Sequence, residues 1–219
     1  MGNVIVIMGA PGAGKGTQSR LLSEKFIYPQ IATGDILREM SQAETPLGQE
    51  IRETLVAGNL VSDQVLADVI LERTSRSDCA NGYILDGFPR TLRQAELLED
   101  LAKRQGNDIL LVRVTVHKEV LLKRLTGRRL CAQCGEIYNV YFKAPKVEGV
   151  CDLDGATLSQ RADDNESVVG KRLETYIEST LPLFNYYSAS GRIVAIDGEQ
   201  PVETIFAQLS NLLGKSNQG

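Results

Sequence analysis

The chain has 219 residues, 42% of them hydrophobic, enough to bury an ordinary core as one domain or as one domain with insertions. Charged residues make up 24% and the formal net charge is -4, so no bulk field draws it to nucleic acid or to an anionic membrane; any anion it binds must be held locally. The longest apolar runs, such as "NVIVIM" and "ILLV", are too short to span a bilayer, and the N-terminus lacks the basic start and long apolar stretch of a signal peptide, so a cytoplasmic location is expected.

Val4 to Met8 reads as a buried strand, and directly after it comes "GAPGAGKGTQ", Gly9 to Gln18. Gly9, Gly14 and Lys15 fit the pattern of a glycine, four residues, then Gly-Lys. Such a loop, between a strand and a helix over "GTQSRLLSEKF", wraps its N–H groups around a phosphate at the helix N-terminus while the lysine reaches the outer phosphates. In the common form the lysine precedes Ser or Thr directly; here Gly16 intervenes before Thr17. Mg²⁺ would then be held mainly by phosphates and water, with help from Asp86.

A short strand is expected around Ile31, and residues 34–64 read as short helices without a strand. Helical patterns cover Val65 to Thr74, Thr91 to Arg104, Lys118 to Leu125, Val168 to Ser188 and Pro201 to Leu213, and further strands cover Tyr83 to Leu85, Ile109 to Val116 and Ile193 to Ile196. Strands alternating with helices predict an α/β fold whose parallel sheet is covered on both faces. Residues 127–165 break the rhythm with cysteines and turn signals, and residues 214–219 read as a frayed tail. Cys79 reads as a small core residue ahead of a strand, and His117, the only histidine, as a surface or capping residue.

Cys131, two residues, Cys134, sixteen residues, Cys151, two residues, then Asp154: this spacing is that of a tetrahedral structural zinc site with one carboxylate in place of a thiolate. The competing reading is three plain reduced thiols. A zinc-ribbon nucleic-acid module is disfavoured, because the segment has only two lysines, Lys143 and Lys146, and no arginine.

A switch GTPase needs its own guanine-reading segment, and none is present. Instead come "TGDILR", "DGFPRTLRQ", "RLTGRR" and "RADDNESVVGKR". Phosphoryl transfer rests on aligning donor and acceptor and neutralising oxygens with cations, a task that suits dispersed arginines. Arg124 and Arg128, spaced i,i+4 on an expected helix end, would share a face and repel each other unless an anion lies between them.

"GAPGAGKGTQ", "TGDILR", "LDGFPRT" with Gln94, "GRR" and "QRADDNE" together resemble the adenylate kinase family in its long bacterial form, over nearly the whole chain. The resemblance implies a P-loop nucleoside monophosphate kinase with a five-stranded parallel sheet and helices on both faces, converting ATP and AMP to two ADP with Mg²⁺. It implies that Gly12, Ala13, Gly14, Lys15, Gly16 and Thr17 hold the ATP phosphates, with Arg128, Ile137 and Tyr138 over the ATP. It implies an AMP site of Thr33, Arg38, Asn59, Leu60, Val61, Gly87, Phe88, Pro89, Arg90 and Gln94, with Gln94 reading the adenine edge and Arg161 and Arg172 bridging the transferring phosphoryl group.

On this reading the catalytic cations are Lys15, Arg90, Arg128, Arg161 and Arg172. The core would comprise residues 1–33, 65–126 and 165–219, with an AMP-binding domain at 34–64 and a lid at 127–164 carrying structural Zn²⁺ on Cys131, Cys134, Cys151 and Asp154. The expected partners are ATP, AMP and ADP, bound by a monomer that engages neither nucleic acid nor membrane. Tyr28 and Ala32 stand where the family more often has Gly and Ser, which bears on the AMP side. Asp163 and Asp164 read equally as orienters of the lid arginines or as a plain acidic helix start. The rival functions are a kinase for UMP or GMP and a nucleotide-responsive zinc adaptor without turnover.

Overall fold

A computed structural model describes residues 3–188 and 191–216. In chain order the elements are β1 (Asn3–Gly9), α1 (Lys15–Phe26), β2 (Gln30–Ala32), α2 (Thr33–Met40), α3 (Pro46–Val56), α4 (Asp63–Thr74), β3 (Gly82–Asp86), α5 (Leu92–Gln105), β4 (Asp108–Thr115), α6 (Lys118–Thr126), β5 (Arg128–Cys131), β6 (Ile137–Asn139), β7 (Leu158–Ser159), α7 (Glu166–Thr175), α8 (Leu183–Ser188), β8 (Ile193–Asp197) and α9 (Val202–Ser216).

Five strands form one parallel sheet in the order β2-β3-β1-β4-β8. Alternate residues of the strands feed opposite faces. Val4, Val6, Met8, Leu85 and Leu111 join a core with Leu37, Ile70, Leu98 and Phe184, whereas Ile5, Ile7, Ile84, Val112 and Val114 join one with Leu22, Leu125, Val169 and Leu209. Both faces are therefore covered, which is why β1 reads as an unbroken apolar run. The chain runs from β1 to β2 and β3 on one side, then returns to β4 and β8 on the other. That reversal leaves a crevice beyond the C-terminal end of β1, where ligands of such sheets bind.

Local chemistry sets the helix starts. Thr45, Ser62, Thr91 and Asn165 each accept a hydrogen bond from a backbone N–H three residues on, and Pro46 occupies the first turn of α3, where its missing N–H costs nothing. The expected helices without a strand at 34–64 are α2, α3 and the start of α4. Cys79 is buried in the core, and His117 precedes α6 with its Nδ1 2.6 Å from Glu199 Oε1.

Four expectations change. Residues 127–165 hold a three-stranded antiparallel sheet, β6-β5-β7, whose strands of two to four residues are too short to register as periodicity. The expected helix over Val168 to Ser188 is divided into α7, a π-turn over Tyr176–Thr180 and α8. Pro182 explains the break: it has no N–H, and its ring would clash with the Glu178 carbonyl in a regular helix, so Leu181 N donates five residues back to Tyr176 O at 2.9 Å. Arg124 and Arg128 do not share a helix face, because Gly127 ends α6 and Arg128 opens β5. Finally, α9 continues to Ser216, so only residues 217–219 of the expected tail fall outside the described residues.

Candidate active site

The loop after β1 is pressed against its neighbours. Gly9 has φ 154°, and a Cβ there would lie 2.5 Å from Val114 O; Gly12 has φ 82°, and a Cβ would lie 2.9 Å from Leu125 Cγ. Only glycine meets both the conformation and the contact. α1 then starts at Lys15 with Gly14 before it and no side-chain cap, so the first-turn N–H groups face the cleft unsatisfied by the chain.

Lys15 Nζ donates to Ala10 O at 2.9 Å. Burial, followed by the repulsion of Arg90, Arg172 and Arg128, pushes its ammonium down to about 8 despite the opposing pull of Asp86. Asp86 closes β3, and burial pushes its carboxyl up while Lys15 and Arg90 pull it down. A Cβ on Gly16 would stand 3.2 Å from Asp86 Oδ2, so the glycine that replaces the common Ser or Thr leaves room for this carboxylate.

The arginines converge from residues 34–64, from the β3–α5 connection, from residues 127–164 and from α7. Arg128 forms a bidentate pair with Asp164, Nε–Oδ2 and Nη2–Oδ1 both 2.6 Å, and Arg172 Nη1 donates to the same Oδ1 at 2.9 Å. Asp164 is fully buried, which fits orientation of these arginines better than an exposed acidic helix start. Arg161 Nη2 reaches Asp35 Oδ1 at 3.1 Å and Arg38 Nη1 approaches Asp163 Oδ2 at 3.9 Å, so residues 34–64 touch residues 127–164. Arg161 Nε is buried without a partner, and burial pushes both Arg161 and Arg90 down to about 10. Both remain cations at neutral pH. Lys15, Arg38, Arg90, Arg128, Arg161 and Arg172 outnumber Asp35, Asp86, Asp163 and Asp164, leaving an excess of positive charge in a partly desolvated cleft.

That cleft has a volume of about 750 Å³. Gly12 to Thr17, Arg128, Ile137 and Tyr138 line it, as do Thr33, Arg38, Asn59, Leu60, Val61, Gly87, Phe88, Pro89, Arg90, Arg161 and Arg172. Gln94 does not line it. Its side chain is fully buried beneath Arg90, accepting from Arg90 N at 2.8 Å and donating to Asp63 Oδ1 at 2.7 Å; one N–H and one lone pair remain. Tyr138 lines the cleft but is only 2% exposed, and its hydroxyl is committed, accepting from Asp152 N at 2.8 Å.

Thr33 Oγ1 donates to Asp86 O at 3.2 Å and Thr180, in the π-turn, donates to Arg90 O at 3.0 Å. Sequence reasoning missed Thr180 and Asp63; neither carries a motif, and each acts through a residue that does. Arg124, which also lines the cleft, received no ligand role from the motifs although "RLTGRR" contains it.

In the antiparallel sheet, Cys131, Cys134, Cys151 and Asp154 place one ligand atom each within 4.8 Å of one another. Cys134 Sγ and Cys151 Sγ are 3.6 Å apart, near the roughly 3.8 Å that tetrahedral Zn–S bonds of about 2.3 Å impose. The two halves repeat one turn. Gly135 N donates to Cys131 O and Cys131 N to Glu136 O; likewise Gly155 N donates to Cys151 O and Cys151 N to Ala156 O. Gly135 and Gly155 have φ 75° and 74°, as the tight turn after each ligand pair requires. No disulfide joins the cysteines, and the donor set fits a zinc ion.

A glycine loop at the switch point of a five-stranded parallel sheet, with a lysine and converging arginines, defines a P-loop nucleoside monophosphate kinase fold. The adenylate kinase family model matches residues 7–192. The chain is 45% identical over 211 residues to an adenylate kinase of Bacillus subtilis (strain 168), covering 96% of this chain and 97% of that one. It is 43% identical over 212 residues to an adenylate kinase of Clostridium botulinum (strain Loch Maree / Type A3), covering 96% and 98%. It is 44% identical over 215 residues to one of Clostridium tetani (strain Massachusetts / E88), covering 97% and 99%.

The chain belongs to the adenylate kinase family: it is a phosphotransferase that binds ATP, AMP and ADP and, with Mg²⁺ on the ATP, converts ATP and AMP to two ADP. Among the described residues no helix is long and apolar enough to cross a membrane.

Proposed function

We propose that the single cleft holds ATP and AMP end to end, with their phosphates meeting over the Lys15 and arginine cluster. The observation that carries this is the convergence of Lys15, Arg90, Arg128, Arg161 and Arg172 on one region with an excess of positive charge. Gly12, Ala13, Gly14, Gly16 and Thr17 cradle the ATP phosphates, with Lys15 on the outer ones. Arg128, Ile137 and Tyr138 cover the ATP. Thr33, Arg38, Asn59, Leu60, Val61, Gly87, Phe88, Pro89 and Arg90 hold AMP, and Gln94, buried beneath Arg90 before AMP binds, reads the adenine edge through its uncommitted N–H and lone pair once the wall at Arg90 shifts to admit the base.

Arg161 and Arg172 neutralise the transferring phosphoryl group. No side chain abstracts a proton, since AMP phosphate oxygen is already an anionic nucleophile. Mg²⁺ supplies charge neutralisation on the ATP oxygens when bound, and Asp86, given space by Gly16, lies at the glycine loop to help hold its water shell. Residues 34–64 form the AMP-binding domain and 127–164 the lid, on a core of 1–33, 65–126 and 165–219. Together they exclude water so that phosphate reaches AMP. Cys131, Cys134, Cys151 and Asp154 hold a structural Zn²⁺ that folds the lid and stays out of the reaction. The protein acts as a cytoplasmic monomer.

A bisubstrate mimic of two adenosines joined by five phosphates tests the two adjacent sites. It is expected to bind at least about a thousandfold more tightly than ATP or AMP alone, because linking converts the second association into an intramolecular one. Titration calorimetry showing equal affinities would overturn the arrangement.

A further inference from the structure

β4 lies between β1 and β8, and its sequence "DILLVRVT" is apolar after Asp108 except for Arg113 and the terminal Thr115. A charge inside an interior strand of a doubly covered sheet departs from the pattern that burial imposes. Arg113 Nε is sealed from solvent without a hydrogen-bond partner, and among the described residues the guanidinium makes no ion pair. Its specific contact is the Phe184 ring, whose centroid lies 4.2 Å from Cζ. Arg113 as a whole is partly buried, and leaving its sealed Nε–H without an acceptor is costly.

Arg113 lines a second cavity of about 320 Å³, which shares only Tyr176 with the large cleft. Leu121, Leu122, Leu173 and Ile177 make its walls largely apolar. Lys118, exposed at the rim, adds a second cation, with no salt-bridge partner among the described residues. The one carboxylate at the cavity, Glu174, is paired with Lys171 on its own helix, with Oε2 3.7 Å from Nζ. The cavity thus offers apolar walls and unpaired cationic donors together. It lies between α6 and α7, the helices that lead into and out of residues 127–164, beside the π-turn.

We propose that this cavity is a binding site for a small amphipathic carboxylate. The carboxylate pairs with the Arg113 guanidinium, whose planar fork matches it, and the apolar body lies along Leu121, Leu173 and Ile177. A carboxylate suits the site better than a doubly charged phosphate because its single charge matches the one partly buried cation, Arg113, Lys118 being at the exposed rim.

Octanoate is the probe, titrated by calorimetry into the full chain saturated with the five-phosphate bisubstrate mimic, which fills the large cleft. One octanoate per chain is expected to bind, with octanol and acetate at least about tenfold weaker, since each lacks one half of the match. Arg113→Met, which keeps the apolar stem, and Leu122→Glu, which puts a carboxylate at the mouth, are each expected to weaken octanoate by about tenfold or more. Leu122 is partly exposed on α6 and outside the large cleft, so Leu122→Glu should retain phosphotransfer and decides the matter alone if Arg113→Met does not fold. Loss of octanoate binding when the mimic is present, octanol binding as tightly as octanoate, or unchanged affinity in the folded variants would each overturn the proposal.

Discussion

Asp164 shows what a single residue does here and why its role is hard to read in advance. Its carboxylate is fully buried and satisfied by Arg128 and Arg172, which approach from β5 and α7. In the sequence, "RADDNE" reads as well as a helix start, because its partner Arg128 lies 36 residues away and nothing local links them. The misplaced Arg124–Arg128 face has a local cause instead: Gly127, a common helix terminator, ends α6 between them and was the available signal. The motif residues are different, since glycines and a lysine in fixed order state their own geometry.

Lys15→Met or Arg90→Ala, each removing positioned charge from the transition state, is expected to lower kcat/KM by about two to four orders of magnitude with the fold intact. Steady-state kinetics with circular dichroism checks this, and near-normal turnover would refute it. A pH dependence follows from Lys15, whose ammonium is held at about 8, below its usual 10.5. In the free enzyme kcat/KM for ATP is expected to fall as pH rises through about 8, as the ammonium is lost. The contribution of Lys15 to stability has the opposite sign. Between about 8 and 10.5 the unfolded chain binds more protons than the folded one, so this contribution rises with pH. A profile of log kcat/KM that stays flat to pH 9.5 would contradict the Lys15 role, and a parallel melting curve separates loss of activity from unfolding.

Among the elements, the helices and the main strands were legible because long apolar periodicity and side-chain caps state them locally. The small sheet was not. Its strands have two to four residues, and its buried apolar core is only Cys131, Tyr138, Cys151 and Leu158, with Ala156 packed on it. So small a core cannot offset the entropy of ordering the segment, and the proposed metal supplies the difference. Protein purified without chelator is expected to contain about one zinc per chain. Release of the metal by thiol modification is expected to lower the melting temperature by about 5 °C or more while changing kcat less than stability. Asp154→Cys is expected to retain zinc, the thiolate being a softer ligand. Metal analysis giving under about 0.2 zinc per chain, or melting unchanged on release, would remove the structural role. The π-turn also escaped the sequence reading, although Pro182 marks where a regular helix must fail.

At the scale of the whole molecule, the alternation of strands and helices predicted a parallel sheet but not its order. The order β2-β3-β1-β4-β8 puts the glycine loop at the point where the chain reverses direction across the sheet. Insertions on either side of that point then meet through Arg161–Asp35 and Arg38–Asp163. Long-range pairs of this kind follow from topology, and no single stretch of sequence contains them. The large cleft so formed is continuous, while Arg113 and its cavity sit on the far side of Tyr176, where the motifs give no hint of a second site.

The cleft transfers phosphate from ATP to AMP in particular. The most direct measurement is ADP formation, in a coupled assay with MgATP and each of AMP, UMP, GMP and CMP. AMP is expected to exceed every other acceptor in kcat/KM by about a hundredfold or more, since a site that hydrogen-bonds the adenine edge leaves buried polar groups unpaired with the wrong base. Equal or faster transfer to UMP or GMP, or no ADP above the rate of ATP hydrolysis, would contradict the account.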